Sequence, residues 1–235
     1  MIQRRAFLCS LAAGAMIAIA APARAASGWD LLAEAAFRAP TTARARELLS
    51  QARIEAEAAL RRDPADREAG LRQAVAAAWG VMLAGGAGRA REARRLIERE
   101  IAARPGNADA HLALGAWHIE AVRRVGMLAG LIGASRRDGN AALDRAVTLG
   151  GDRALPAGYA ALLRAASGEG RSAAERAAVL TLARRAARGT TPTGLDAMMR
   201  ANAERFAAAL ADPRADAART AAPLLPFGRL ESKDR

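Results

Sequence analysis

The two histidines of the chain, His111 and His118, stand seven residues apart with Glu120 close behind, and imidazoles with a carboxylate are the common ligands of a zinc ion. Seven residues is close to two helical turns, so both rings fall near one face of a helix. A third ligand at the next turn is missing, as is the His-Glu-x-x-His arrangement that joins two ligands to a general base. The histidines are therefore expected to be packing residues, with no metal. Nucleophilic chemistry has no better footing. The single cysteine, Cys9, lies near the N-terminus, and neither a nucleophile elbow nor a glycine-rich phosphate loop occurs. Acidic residues are dispersed among arginines along helix faces, which is usually a solvated arrangement. No acid–base pair stands out, so neither enzymatic activity nor a cofactor is expected.

What remains is chemistry of binding. Trp79, Trp117 and Tyr159 can line a groove as aromatic anchors, although their apolar surroundings fit a core at least as well. A second candidate is the run Val125-Gly-Met-Leu-Ala-Gly-Leu-Ile-Gly-Ala134. It is uncharged and lies between Arg123-Arg124 and Arg136-Arg137. Such a segment, with Leu128 and Leu131 at its centre, can touch a membrane interface or a partner's groove while the guanidinium groups stay at the polar boundary. Alternatively the preceding helix is longer and a glycine-bearing turn packs inside the fold, a reading that Gly126, Gly130 and Gly133 favour. The candidate binding residues are thus Trp79, Trp117, His118, Arg123, Arg124, Leu128, Leu131, Arg136 and Arg137.

The elements that must position them are helices. Alanine supplies 67 of 235 residues, and arginine 35 of the 36 basic ones. Both are strong helix formers, while β-branched and aromatic residues suited to strands are scarce. In 42–62, Ala45, Leu48, Leu49, Ala52, Ala56, Ala59 and Leu60 form one apolar stripe, and Asp63-Pro64 ends it. Helices follow at about 66–83 and 89–103, then from Ala108 past His118 with Asn107 as N-cap. Further on come 140–149, 154–166, a segment opened by the Ser172/Glu175 capping box and running to Arg188, and 195–211. Short connections imply antiparallel neighbours.

Units close at Pro64, Pro105 and Gly151, intervals of 41 and 46 residues that suit stacked helix pairs. Between Ala108 and Asp152 the chain resembles the tetratricopeptide repeat. His111, Leu114-Gly115 and His118 stand where that family has an aromatic, Leu-Gly and a second aromatic on its first helix. Gly139, Leu143 and Ala146 match its second helix, and Leu149 its last core position. Gly151 replaces the closing proline, and His118 to Gly139 spans twelve residues more than the family pattern. Glu100 occupies a position where alanine is expected in the preceding unit. The resemblance covers residues 42–152 and extends loosely over 153–211. It implies an all-α fold of stacked antiparallel helical hairpins, an α-solenoid whose concave face holds a protein or peptide, and hence a scaffold or adaptor. A small-ligand carrier is the alternative, since some exported helical-repeat proteins of similar build accompany solute transporters.

The N-terminus supplies an address. Arg4-Arg5, an uncharged stretch to Ala23 and the Ala23-Arg24-Ala25 site read as an export signal over residues 1–25, cut after Ala25. Gln3-Arg-Arg-Ala-Phe-Leu8 is similar to the twin-arginine signal, although Gln3 also leaves the general secretory route open, and an uncleaved anchor is a further alternative. Cleavage into the periplasm removes Cys9 and takes the net charge from +12 to +9. Export argues against nucleic acid as partner, whereas weak attraction to an anionic membrane surface is compatible with that charge. A helical domain is expected over 26–211. Residues 212–235, with Pro213, Pro223 and Pro226, read as a poorly ordered tail carrying the apolar island Pro223-Leu-Leu-Pro-Phe-Gly228, which either docks in the chain's own groove or on another protein, or is accidental.

Overall fold

A computed structural model describes residues 27–233, so the export signal expected over 1–25 lies outside the described residues. Eleven α-helices are present among them and no extended strand; one isolated parallel bridge joins Arg153 and Thr190. The helices are α1 (Gly28–Phe37), α2 (Thr42–Arg62), α3 (Arg67–Ala84), α4 (Ala87–Ala103), α5 (Ala108–Val125), α6 (Arg136–Leu149), α7 (Ala154–Ala166), α8 (Ala173–Ala187), α9 (Gly194–Ala209), α10 (Ala217–Ala221) and α11 (Gly228–Lys233). No helix of the described residues is long and apolar enough to cross a membrane. The starts follow local chemistry: Asp66, Asn107, Ser135 and Thr193 each accept a backbone N–H of the first turn, and Ser172 with Glu175 forms a capping box.

Consecutive helices pack on one another, giving hairpins α1–α2, α3–α4, α5–α6 and α7–α8, followed by α9. Alanine permits this packing. Ala45, Ala52, Ala56, Ala93 and Ala146 are fully buried at the seams, where a larger side chain would force the helices apart. One close approach is between α5 and α6. A Cβ on Gly115 would sit 2.8 Å from Leu143 and 3.0 Å from the Gly139 carbonyl oxygen, so only glycine fits there without movement.

Odd-numbered helices form the inner layer, and the layer curls back on itself: α1 touches α9 as well as α2 and α3. The C-terminal segment seals that junction. The Phe227 N–H donates to the Ala36 carbonyl (2.8 Å), Arg229 reaches the Phe37 carbonyl (2.6 Å), and the fully buried Phe227 ring stands edge-on to Trp79 at 5.9 Å. The expectation of a poorly ordered tail is therefore corrected for its described part. Residues 212–233 form α10, a short 3-10 turn and α11, and the apolar island docks on the chain itself because Leu225 and Phe227 bury against the inner helices. Two other differences are local. Ser27 and Asp30 make a capping box that starts α1, a helix the apolar spacing does not announce. The sixth helix begins at Arg136 rather than Asn140, because Ser135 caps it.

Candidate functional site

Curling the inner layer leaves space at its centre. α1, α3, α5, α7 and α9 surround a cavity of about 730 Å³, within the roughly 300–1,000 Å³ usual for ligand pockets. Its shape follows from helix geometry. Glu68 and Met82 both line it and lie on α3, so at 1.5 Å per residue it runs about 21 Å along the helix axis. The wall is largely apolar, with Phe37, Val75, Trp79, Trp117, Leu155 and Met199 from five helices. Exposed lining residues gather at its two ends: Ser27, Asp30, Pro192 and Thr193 at one, Gly85, Gly86, Arg91, Leu128 and Leu131 at the other.

Ion pairs hold the first end. Asp196, with no exposed surface, accepts from the Leu155 N–H (2.9 Å), Thr193 Oγ1 (2.7 Å) and Arg153 (3.1 Å), and so ties α9 to the start of α7. Arg153 also pairs with Asp109 at 3.1 Å, adding α5 to the knot. Burial pushes the Asp109 carboxyl above its usual value despite the attraction of Arg153. Burial pulls Arg153 the other way, but its two carboxylates outweigh it and the net shift is upward. The Trp29 indole N–H donates to Glu68 at 2.6 Å, joining α1 to α3.

The second end is framed by a 3-10 helix, Gly126–Ile132, which forms a lip. Sequence reasoning places a longer α5 and a glycine-bearing turn here. Helix α5 does run to Val125, but the turn is not packed inside. Ala129 alone is buried, while Met127, Leu128 and Leu131 are 99%, 64% and 74% exposed. The lip is held in place from α4. Arg91 donates to the Leu131 carbonyl (3.2 Å) and Arg94 to the Gly133 carbonyl (2.9 Å), with the Arg94 guanidinium over the Trp117 ring at 5.5 Å. Gly133 has φ 77°, a left-handed conformation that suits glycine.

Of the residues named from the sequence, Trp79, Trp117, Arg124, Leu128 and Leu131 line the cavity. The others do different work. His118 is buried beside Trp117, and its Nδ1 accepts the Ser135 N–H (3.1 Å) at the start of α6. Burial lowers its pKa, and Arg94 adds to that. Arg123 and Arg124 both pair with Glu120 on α5 and Glu231 on α11, clamping the C-terminal helix to the lip end of α5. Burial lowers the Arg123 pKa, but the two carboxylates raise it further. Arg136 donates to the Ser167 carbonyl (3.1 Å), and Arg137 is exposed. His118, Arg123, Arg136 and Arg137 are not among the residues that line the cavity. Trp29, Met82, Asp109, Arg153 and Met199 do line it without having been singled out; they share only an inward position on, or immediately before, an odd-numbered helix.

Among the described residues, no three His, Cys, Asp or Glu side chains converge on a metal-sized point. No protein-family model, curated protein or solved structure matches this chain.

Proposed function

We propose that the mature chain is a periplasmic binding protein of degenerate tetratricopeptide-like build that carries a small, elongated, mainly apolar ligand. The observation that carries this reading is the cavity of about 730 Å³ lined by Trp79, Trp117 and Leu131. A scaffold or adaptor for an extended peptide needs an open concave face. Here α1 meets α9, and Pro226 of the docked C-terminal segment contributes to the cavity wall, which weighs toward a carrier. The export signal read over residues 1–25 supports the compartment. Met127, Leu128 and Leu131 on the lip, with Arg91 beside the same opening, support weak contact with an anionic membrane surface, the place where an apolar ligand is collected.

Native mass spectrometry of the chain purified from a periplasmic extract tests the reading. The expected result is one additional small mass per chain, released by extraction with organic solvent. A chain at its bare polypeptide mass, accompanied by a stoichiometric protein partner, would favour the adaptor instead.

A further inference from the structure

Two side chains of the lip belong to the inside and the outside of the molecule at once. Leu128 and Leu131 line the cavity and are also 64% and 74% exposed, so one apolar surface runs from the inner wall to the exterior. Met127, 99% exposed, extends that surface without being among the residues that line the cavity. The lip is pinned in this posture. Ala129 anchors it in the core, while Arg91 and Arg94 hold the Leu131 and Gly133 carbonyls from α4.

Charge indicates what covers the patch. From Ala121 to Arg137 the chain carries four arginines and no acid. Arg123 and Arg124 are engaged by Glu120 and Glu231. The exposed Arg89 and Arg91 instead bond carbonyl oxygens, those of Gly85 (2.9 Å) and Leu131 (3.2 Å), which leave their charge uncompensated. Arg89 stands at the mouth, since a Cβ on the cavity-lining Gly86 would lie 3.1 Å from its guanidinium. An apolar tip beside uncompensated guanidiniums matches an anionic bilayer, where the side chains enter the acyl boundary and the cations meet phosphates. A second copy of this chain, packed symmetrically on the same patch, would set like charges against each other.

The cavity gives such a contact a purpose. Each methylene moved from an apolar phase into water lowers the population about fourfold, so ten methylenes cost about a million-fold. A long apolar ligand therefore crosses water far more slowly than it moves along a continuous apolar surface. Resting on the carrier reading above, we propose that the lip, Gly126–Ile132, enters an anionic leaflet and loads the cavity directly. A long-chain lipid then passes between bilayer and cavity over Leu128 and Leu131 without crossing water.

The test follows transfer of hexadecylpyrene from the loaded mature chain to vesicles that carry a quencher lipid, at several vesicle concentrations. With vesicles of phosphatidylethanolamine and phosphatidylglycerol the rate should rise in proportion to vesicle concentration, because contact limits it. Phosphatidylcholine in place of phosphatidylglycerol should slow transfer about 25-fold, since each of two guanidiniums near an anionic surface contributes about fivefold. Met127→Asp should slow transfer about tenfold, the scale of one apolar side chain withdrawn from the acyl boundary. Its equilibrium affinity for hexadecylpyrene and its helicity should stay those of the wild type, because Met127 is exposed and lies outside the cavity lining. A rate independent of vesicle concentration, or a Met127→Asp rate equal to the wild type, would overturn the proposal while leaving the carrier intact. So would a wild-type dimer in sedimentation that Met127→Asp converts to a monomer, which would give the lip to a second copy. A chain that never takes up hexadecylpyrene would remove the carrier reading and this proposal with it.

Discussion

Replacing Phe227 with alanine should destabilise the protein by about 3–5 kcal/mol, the range for a fully buried phenylalanine. The ring has no exposed surface and stands edge-on to Trp79 at 5.9 Å and 86°. Truncation would leave a gap between the C-terminal segment and α3, and would loosen the segment that closes α1 onto the rest of the ring. For a chain of this size about 1 kcal/mol moves the melting temperature by roughly 2–4 °C, so a drop of the order of 10 °C is expected. Urea titration followed by far-ultraviolet circular dichroism measures the free energy, and Met127→Ala serves as control because that side chain is 99% exposed. The docked-tail account is refuted if Phe227→Ala costs no more than the control, which is the outcome for a tail that does not pack on the domain.

Three further expectations concern packing, pH and the lip. Gly115→Ala should cost about 1–3 kcal/mol, because its Cβ meets Leu143 and the Gly139 backbone oxygen; Gly80→Ala in α3, with open space around it, should instead stabilise by about 0.5–1 kcal/mol. Both are read by urea midpoints. Burial and Arg94 lower the His118 pKa in the folded state, so the unfolded chain binds the proton first as pH falls below about 6.5. Stability contributed by neutral His118 is complete above that value and declines below it, by at most about 1.4 kcal/mol per pH unit, until the folded-state pKa is reached. His118→Asn, which keeps an acceptor for the Ser135 N–H, should remove this part of the pH dependence, as chemical denaturation at pH 5 and 7 would show. Replacing Met127, Leu128 and Leu131 together with serine should leave the unfolding midpoint nearly unchanged and reduce co-sedimentation with anionic vesicles, since all three side chains are exposed.

Much of the fold is legible in the chain because helices declare themselves locally. The stripe through Ala45, Leu48, Leu49, Ala52 and Ala56 is the buried face of α2, and the Asn107 and Ser172 caps stand where side-chain chemistry places them. Gly115 and Gly139 mark a tight seam, between α5 and α6. Ring closure leaves no such mark. It depends on contacts between distant positions, such as Phe227 with Ala36 and Trp79, and Glu231 with Arg123 and Arg124, and no spacing within a single helix encodes them. The same limit governs the site. Trp79, Trp117, Leu128 and Leu131 stand out by type, and Tyr159 is conspicuous as the lone tyrosine. Glu120 draws notice only as a supposed companion of the histidines, yet His118 turns toward α6 while Glu120 lines the cavity.

The cavity as a ligand site is tested most directly by filling it. Ala113 on α5 lines the cavity, and Ala113→Trp would place an indole in that space. Titration with a fluorescent alkyl probe should show one site per chain in the wild-type mature protein, and loss of that site in an Ala113→Trp variant of unchanged helicity. Equal binding by the two proteins would contradict the account, because the probe would then be held somewhere other than the space enclosed by the inner helices.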